Sequence, residues 1–181
     1  MPLPFPRPNK VIAVGLNYRD HAKEANVPVP TTPVLFTKWT TSLIGDGESI
    51  IIPKGVTQTD WEAELAVVIG KRASRVSEID ALGYVSGYTC MNDVTDREAQ
   101  SKDGQWVRSK SYDTFGPIGP RIVSPSEIGD PHNLKIEARL NGKTVQSSNT
   151  SNLIFSIPFL ISYISARITL EPGDVITTGT P

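Results

Sequence analysis

Residues 60–70 read D-W-E-A-E-L-A-V-V-I-G, and this stretch limits what the chain can become. From Leu65 onward it is apolar and β-prone, with Val67, Val68 and Ile69 ahead of a closing glycine, so it reads as a strand entering a core. Side chains alternate faces along a strand, which puts Glu62 and Glu64 on one side with Cα atoms about 6.5–7 Å apart. Two carboxylates that close repel. Beside a buried run they call for a cation between them, and a hard divalent metal is the obvious one. The competing reading is a solvated face of a half-buried strand, and E-x-E alone favours it.

The chain has 181 residues, for which one domain is the default. A formal net charge of −1 gives no electrostatic reason to expect nucleic acid or an anionic membrane as partner. The single cysteine, Cys90, excludes an intramolecular disulfide and fits a reducing compartment: the cytoplasm is expected, and a mitochondrial location is compatible. Its β-prone neighbours imply a buried, inert thiol. The start, M-P-L-P-F-P-R-P, is too short and proline-rich for a signal peptide. The longest apolar region, 153–170, contains Pro158, Arg167 and several serines, so it is not a membrane span.

In chain order, residues 10–15 read as a buried strand. N-Y-R-D-H-A-K-E then forms a helical turn or mobile loop in which His21 and Glu24, three apart, share a face. Such a pair suits a general base with its orienting group, although an ordinary surface ion pair fits the local sequence better. The other histidine, His132, reads as a loop residue with no role. Residues 34–38 form a strand ending in Lys38, 45–47 a turn, and 50–52 another apolar strand. Ser77 and Asp80 suggest a capping box for a short helix through Leu82. Residues 84–92 are a strand with Asp93 at its end, and Asp96, Arg97, Glu98 and Gln100 open a helix. Asp93 shifts the balance toward a metal, because three carboxylates plus waters are the usual protein share of a Mg²⁺ or Mn²⁺ site. No Cys/His cluster invites zinc.

Residues 104–119 are a glycine- and proline-punctuated loop holding Lys110, either a surface charge or a cation beside an anionic substrate. That loop leads into a strand near 121–123. Strand-like runs at 134–140 and 143–146 flank Asn141-Gly142, a strong hairpin signal. Ser156 caps a helix over 156–166 whose apolar residues share one face. Residues 171–174 form a turn before a last strand at 175–178.

Taken together, V-G-L-N-Y-R-D-H, D-W-E-A-E-L-A-V-V-I-G, G-Y-T-C-M-N-D-V-T-D-R-E, G-Q-W-V-R-S-K-S-Y-D-T-F-G-P-I-G-P, N-G-K-T-V-Q-S-S-N-T and L-E-P-G-D-V-I-T-T-G-T-P make the chain resemble the fumarylacetoacetate hydrolase family, in its short single-domain form. The resemblance runs from Val11 onward. It implies a mainly β, α+β fold: a mixed, rolled sheet with short helices, usually in a homodimer. On this view residues 1–10 are a proline-rich lead, and 11–181 are a catalytic domain without the family's usual final segment, so that the sheet is incomplete at its C-terminal end.

The matching positions imply Mg²⁺ or Mn²⁺ bound by Glu62, Glu64 and Asp93, a water-activating pair in His21 and Glu24, and Lys110 beside substrate and metal. Lys38, Gln100 and Thr180 match pocket positions. The implied activity is hydrolysis of a C–C bond in a small 2-oxo or 2,4-dioxo acid through a stabilised enolate. Decarboxylation of an oxaloacetate-like acid and keto–enol isomerisation use the same enolate and stay open as alternatives. So does an inactive, metal-binding, dimer-forming protein. A serine hydrolase is disfavoured, since no G-x-S-x-G elbow is present.

Overall fold

The computed structural model describes residues 2–181; of the run predicted at 60–70, residues 63–69 form a strand near the centre of its main sheet, while Asp60 belongs to a separate short ladder and Trp61 and Glu62 join the two. The strands are β1 (Val11–Gly15), β2 (Val34–Thr37), β3 (Leu43–Ile44), β4 (Thr59–Asp60), β5 (Ala63–Ile69), β6 (Val85–Asn92), β7 (Thr95–Asp96), β8 (Gly116–Val123), β9 (Lys135–Leu140), β10 (Lys143–Asn149) and β11 (Val175–Thr177). Seven of them form one curled sheet in the order β2-β1-β11-β5-β6-β8-β3. The β1–β11 and β3–β8 pairs are parallel and the rest antiparallel, so the sheet is mixed, as expected. β9 and β10 form a separate hairpin, and β4 and β7 a short two-stranded ladder of their own.

Alternation along β5 builds two cores. Leu65, Val67 and Ile69 face a large cluster with Ile12, Val14, Tyr88 and Ile176. Ala66 and Val68 face a smaller one with Val11, Met91, Ile118 and Val175. Glu62 and Glu64 have the parity of Ala66 and Val68, so the carboxylates precede the smaller core on its own face. The proline-rich lead packs there too, through Leu3 and Phe5.

The helices are α1 (Arg19–Glu24), α2 (Arg97–Asp103), α3 (Val107–Lys110), α4 (Pro125–Ile128) and α5 (Ile157–Ser165). α5 starts where its cap predicts: Ser156 Oγ accepts from the Phe159 N–H at 3.3 Å. Its buried face, Ile157, Leu160, Ile161 and Ile164, covers the large core. The predicted hairpin also forms, with Asn141 and Gly142 at φ 52° and 79°, the left-handed pair of a type I′ turn.

Several expectations are corrected. Residues 50–52 are not a strand: Ile51 is 61% exposed, and its N–H goes to the Thr114 side chain at 2.7 Å rather than to a ladder. Only half of the capping box at Ser77 and Asp80 forms: Asp80 N–H donates to Ser77 Oγ at 3.3 Å, but the Asp80 carboxylate accepts from the Ser77 hydroxyl and not from its backbone N–H, and the segment leads into a 3₁₀ turn at Ala81–Tyr84. The loop predicted over 104–119 contains α3, and β8 begins at Gly116 despite Pro117 and Pro120. Both prolines are tolerated because β8 lies next to the sheet edge, where β3 pairs with only its first two residues. Cys90 is exposed, not buried, although partial burial still pushes its thiol pKa up. His132 does have a structural role, since its Nε2 accepts the Ile157 N–H at 3.1 Å at the start of α5. Among the described residues no helix is long and apolar enough to cross a membrane.

Candidate active site

The pairing of β5 with β6 assembles the acidic cluster. Ala63 lies opposite Asn92 and Glu64 opposite Met91, so Asp93 leaves β6 beside Glu62. Two further bonds clamp the strand ends: Asp93 N–H donates to the Glu62 carbonyl at 2.9 Å, and Glu62 N–H donates to Asn92 Oδ1 at 2.9 Å. Glu62, Glu64 and Asp93 each offer a carboxylate oxygen within 4.8 Å of the others, and all three residues are buried.

Cations meet two of the three carboxylates. Lys110 Nζ donates to Glu62 Oε2, Asp93 Oδ2 and Thr95 Oγ1, each at 2.8 Å, which uses all three of its hydrogens. Lys38 Nζ donates to Asp93 Oδ1 at 2.6 Å and also to the Lys110 carbonyl. Arg97 reaches Glu62 Oε1 at 2.7 Å and Asp60 Oδ2 at 2.8 Å. Glu64 has no such partner among the described residues; its Oε2 accepts only the Gly179 N–H, at 2.9 Å.

The pKa directions follow from this arrangement. Burial, then the charges of Asp93 and Glu62, push Glu64 well above the usual carboxylate range. Burial acts the same way on Asp93, but Lys38 and Lys110 outweigh it and hold that carboxyl low. Burial lowers Lys38, and Asp93 opposes it only in part. A buried carboxylate without a cation, in a cluster of hard oxygen donors, fits a divalent metal.

In front of the cluster is a cleft of about 270 Å³. Glu62, Arg97, Gln100 and Lys110 line it together with His21, Thr180 and an apolar group of Val14, Leu16, Phe36 and Trp106. The expected site residues are therefore brought together, with two exceptions. Lys38 stands behind Asp93, 1% exposed and away from the cleft. Glu24 is exposed on α1 and makes no hydrogen bond or ion pair among the described residues. His21 is held by the chain's last segment instead: its Nδ1 lies 3.2 Å from the Thr180 carbonyl. A carbonyl only accepts, so Nδ1 carries the proton and a neutral ring has its lone pair at Nε2.

Sequence reading passed over Arg97 and Asn17. Arg97 stands three residues before Gln100 on α2, a same-face spacing that was available as a signal, and its Nη1 donates to Gln100 Oε1 at 3.0 Å. Asn17 is fully buried and joins the turn before His21 to the segment before Thr180. It donates to the Thr178 carbonyl at 2.8 Å and the Phe155 carbonyl at 3.2 Å, and accepts from the Phe155 N–H at 2.7 Å. Asn17→Leu is expected to destabilise the protein by at least ~2 kcal/mol, since buried groups lose their partners. Urea unfolding measures this; a loss below ~0.5 kcal/mol, the scale of an ordinary surface change, would show that the turn is held by other contacts.

A family model, "Fumarylacetoacetate (FAA) hydrolase C-terminal", matches residues 10–181. An uncharacterized protein of Archaeoglobus fulgidus is 55% identical over 99% of this chain and 70% of its own length. The mitochondrial oxaloacetate tautomerase of Rattus norvegicus is 49% identical over 98% of this chain, which spans only 57% of the rat protein. Among solved structures, 5-carboxymethyl-2-hydroxymuconate delta-isomerase from Mycobacterium smegmatis superposes with a TM-score of 0.90 at 44% identity, covering 99% of this chain and 70% of that one. Fold, sequence and the matched model agree, and the chain belongs to the fumarylacetoacetate hydrolase family.

Proposed function

We propose that the chain catalyses enolisation of a small 2-oxo acid, with keto–enol isomerisation as the primary reaction. The observation that carries this reading is His21: its ring lines the same cleft as Glu62 and Lys110, with Nδ1 turned to the Thr180 carbonyl. Nε2 is then the base that takes the C3 proton: the C–H electron pair moves toward the 2-oxo oxygen, and the proton held on Nε2 passes to that oxygen to give the enol, the reverse path returning it to C3. Glu62, Glu64 and Asp93 would hold Mg²⁺ or Mn²⁺, which supplies Lewis-acid stabilisation of the charge that develops on the 2-oxo oxygen. Arg97 engages the Gln100 carbonyl oxygen, which leaves the Gln100 amide hydrogens for the substrate carboxylate. Lys110 fixes Glu62 and Asp93 in place, and Lys38 positions Asp93 from behind. Thr180 orients the base. The names of the rat tautomerase and the mycobacterial isomerase support the same class of chemistry.

C–C hydrolysis of a 2,4-dioxo acid is the second reading. It additionally needs an activated water, for which a His21–Glu24 pair is the expected device, and Glu24 stands apart from His21's ring contact in this structure. Homodimerisation is proposed on the family resemblance, and light scattering tests it. The test of function is C3 hydrogen–deuterium exchange of pyruvate and of 2,4-dioxopentanoate, followed by NMR in D₂O with Mg²⁺ or Mn²⁺. Exchange that depends on the protein and on the metal is expected. Cleavage of the dioxo acid without exchange of either acid would overturn the isomerase reading in favour of the hydrolase.

A further inference from the structure

The proposed chemistry leaves the apolar side of the cleft without a task, yet that side is closely built. Trp106 precedes α3, and its six-membered ring lies on Gly15 at the end of β1. A Cβ at Gly15 would stand 2.2 Å from Cζ3 and 2.8 Å from Cη2, so only glycine admits the indole in this position. Phe36 of β2 meets the same indole edge to face, with centroids 5.3 Å apart at 74°. The Phe36 ring also borders the charged end of the site, its centroid 5.2 Å from Lys110 Nζ. Leu16 completes this wall from a left-handed backbone at φ 47°, a conformation a leucine holds only when its surroundings impose it.

Charge points the same way. Arg97 and Lys110 are the only lysine or arginine side chains lining the cleft among the described residues, and Asp60, Glu62 and Asp93 already engage both. A second carboxylate at the far end of a substrate would meet aromatic surface and no unpaired cation. The acids named for the rat and mycobacterial relatives carry such a carboxylate. At about 270 Å³ the cleft is also smaller than the ~300–1,000 Å³ of sites for drug-sized ligands.

Resting on the 2-oxo acid reading, we propose that Trp106 and Phe36 form the subsite for the part of the substrate beyond C3, that this part is uncharged and apolar, and that Trp106, seated on Gly15, sets its permitted length. Each methylene buried against this wall raises affinity roughly fourfold until the wall is filled. Gly15→Ala drives the indole across the cleft and shortens the subsite, whereas Trp106→Ala removes the wall.

The test is equilibrium binding, by tryptophan fluorescence and calorimetry, to the Mn²⁺-supplemented full chain. The probes are pyruvate, 2-oxohexanoate, 2-oxoheptanoate, 2-oxooctanoate and 2-oxoadipate, which ends in a carboxylate. In the wild type, affinity is expected to rise from pyruvate to 2-oxohexanoate, and 2-oxoadipate to bind at least about tenfold more weakly than 2-oxoheptanoate. Trp106→Ala should flatten the ratio of long-chain to pyruvate affinity, Trp106→Phe should restore part of it, and Gly15→Ala should lower it. Near-UV circular dichroism and urea unfolding establish that each variant is folded. A merely structural role for Trp106 would change stability and leave the ratio alone, and that result overturns the proposal. So does 2-oxoadipate binding as tightly as 2-oxoheptanoate. If pyruvate and every longer acid fail to bind the wild type, the 2-oxo acid reading falls and takes the proposal with it, whereas pyruvate binding without length dependence overturns the proposal alone.

Discussion

Glu64→Gln is expected to stabilise the metal-free protein and to abolish its stabilisation by a divalent cation. The two effects have opposite signs and one cause. Glu64 is 3% exposed, accepts a single hydrogen bond from Gly179, and lies beside Asp93 and Glu62 without a cation of its own. Burying an unpaired charge is costly, and like charges add to the cost: burial first, then Asp93 and Glu62, push this carboxyl well above the usual carboxylate range. Glutamine keeps the shape, keeps an oxygen for the Gly179 N–H, and offers amide hydrogens to the neighbouring carboxylates. Removal of the charge should therefore raise the metal-free Tm by about 2–4 °C for each kcal/mol gained in a chain of this size.

The same removal takes one anionic ligand from the cluster. In the wild type, Mn²⁺ at about 100 times its Kd should add ~2.7 kcal/mol of stability. In the variant that increment should fall close to zero. Thermal unfolding with chelator and with Mn²⁺ reads both quantities on the same samples. A variant that keeps the full Mn²⁺ shift would remove Glu64 from the metal set. A variant less stable than wild type in chelator would show that the Glu64 charge is compensated after all.

What the sequence disclosed about this site was local in origin. The strand parity of Glu62 and Glu64, the strand end at Asp93, the Asn141-Gly142 turn and the Ser156 cap each depend on a few consecutive residues, and all appear in the structure as read. Misreadings came where local preference lacked its partner. Residues 50–52 are β-prone, but no strand lies beside them, and they stay exposed. β8 has two prolines inside it, which local rules count against a strand, and its position near an edge makes them tolerable. The contacts that give the cleft its chemistry are long-range. His21 finds its orienting group 159 residues away in Thr180, although a carboxylate three residues away offered a local alternative. Lys38 directly follows β2 instead of ending it, and only tertiary packing shows that it faces the back of Asp93. Gly15 and Trp106 carry no signal of each other in the chain, and only the folded structure brings the residue before α3 onto the end of β1.

The contrast between Thr180 and Glu24 gives the second large prediction. His21→Ala is expected to lower C3–H exchange of pyruvate by roughly 100- to 10,000-fold, the usual range for a missing general base. Glu24→Ala should change it by no more than a factor of about two, as for an exposed residue outside a packed or bonded network. Both variants must retain the Mn²⁺ shift in Tm, because neither residue belongs to the acidic cluster; that control separates a lost base from a lost metal. The physical basis is the imidazole's single available lone pair. With Nδ1–H given to the Thr180 carbonyl, Nε2 is set as the base without any help from Glu24. Cleavage of 2,4-dioxopentanoate is the informative companion measurement. If Glu24→Ala abolishes cleavage and spares exchange, α1 closes over substrate to form the His21–Glu24 pair only for attack by water. If Glu24→Ala lowers exchange as far as His21→Ala does, Glu24 orients the base in both reactions, and the Thr180 contact belongs to a resting arrangement that substrate replaces.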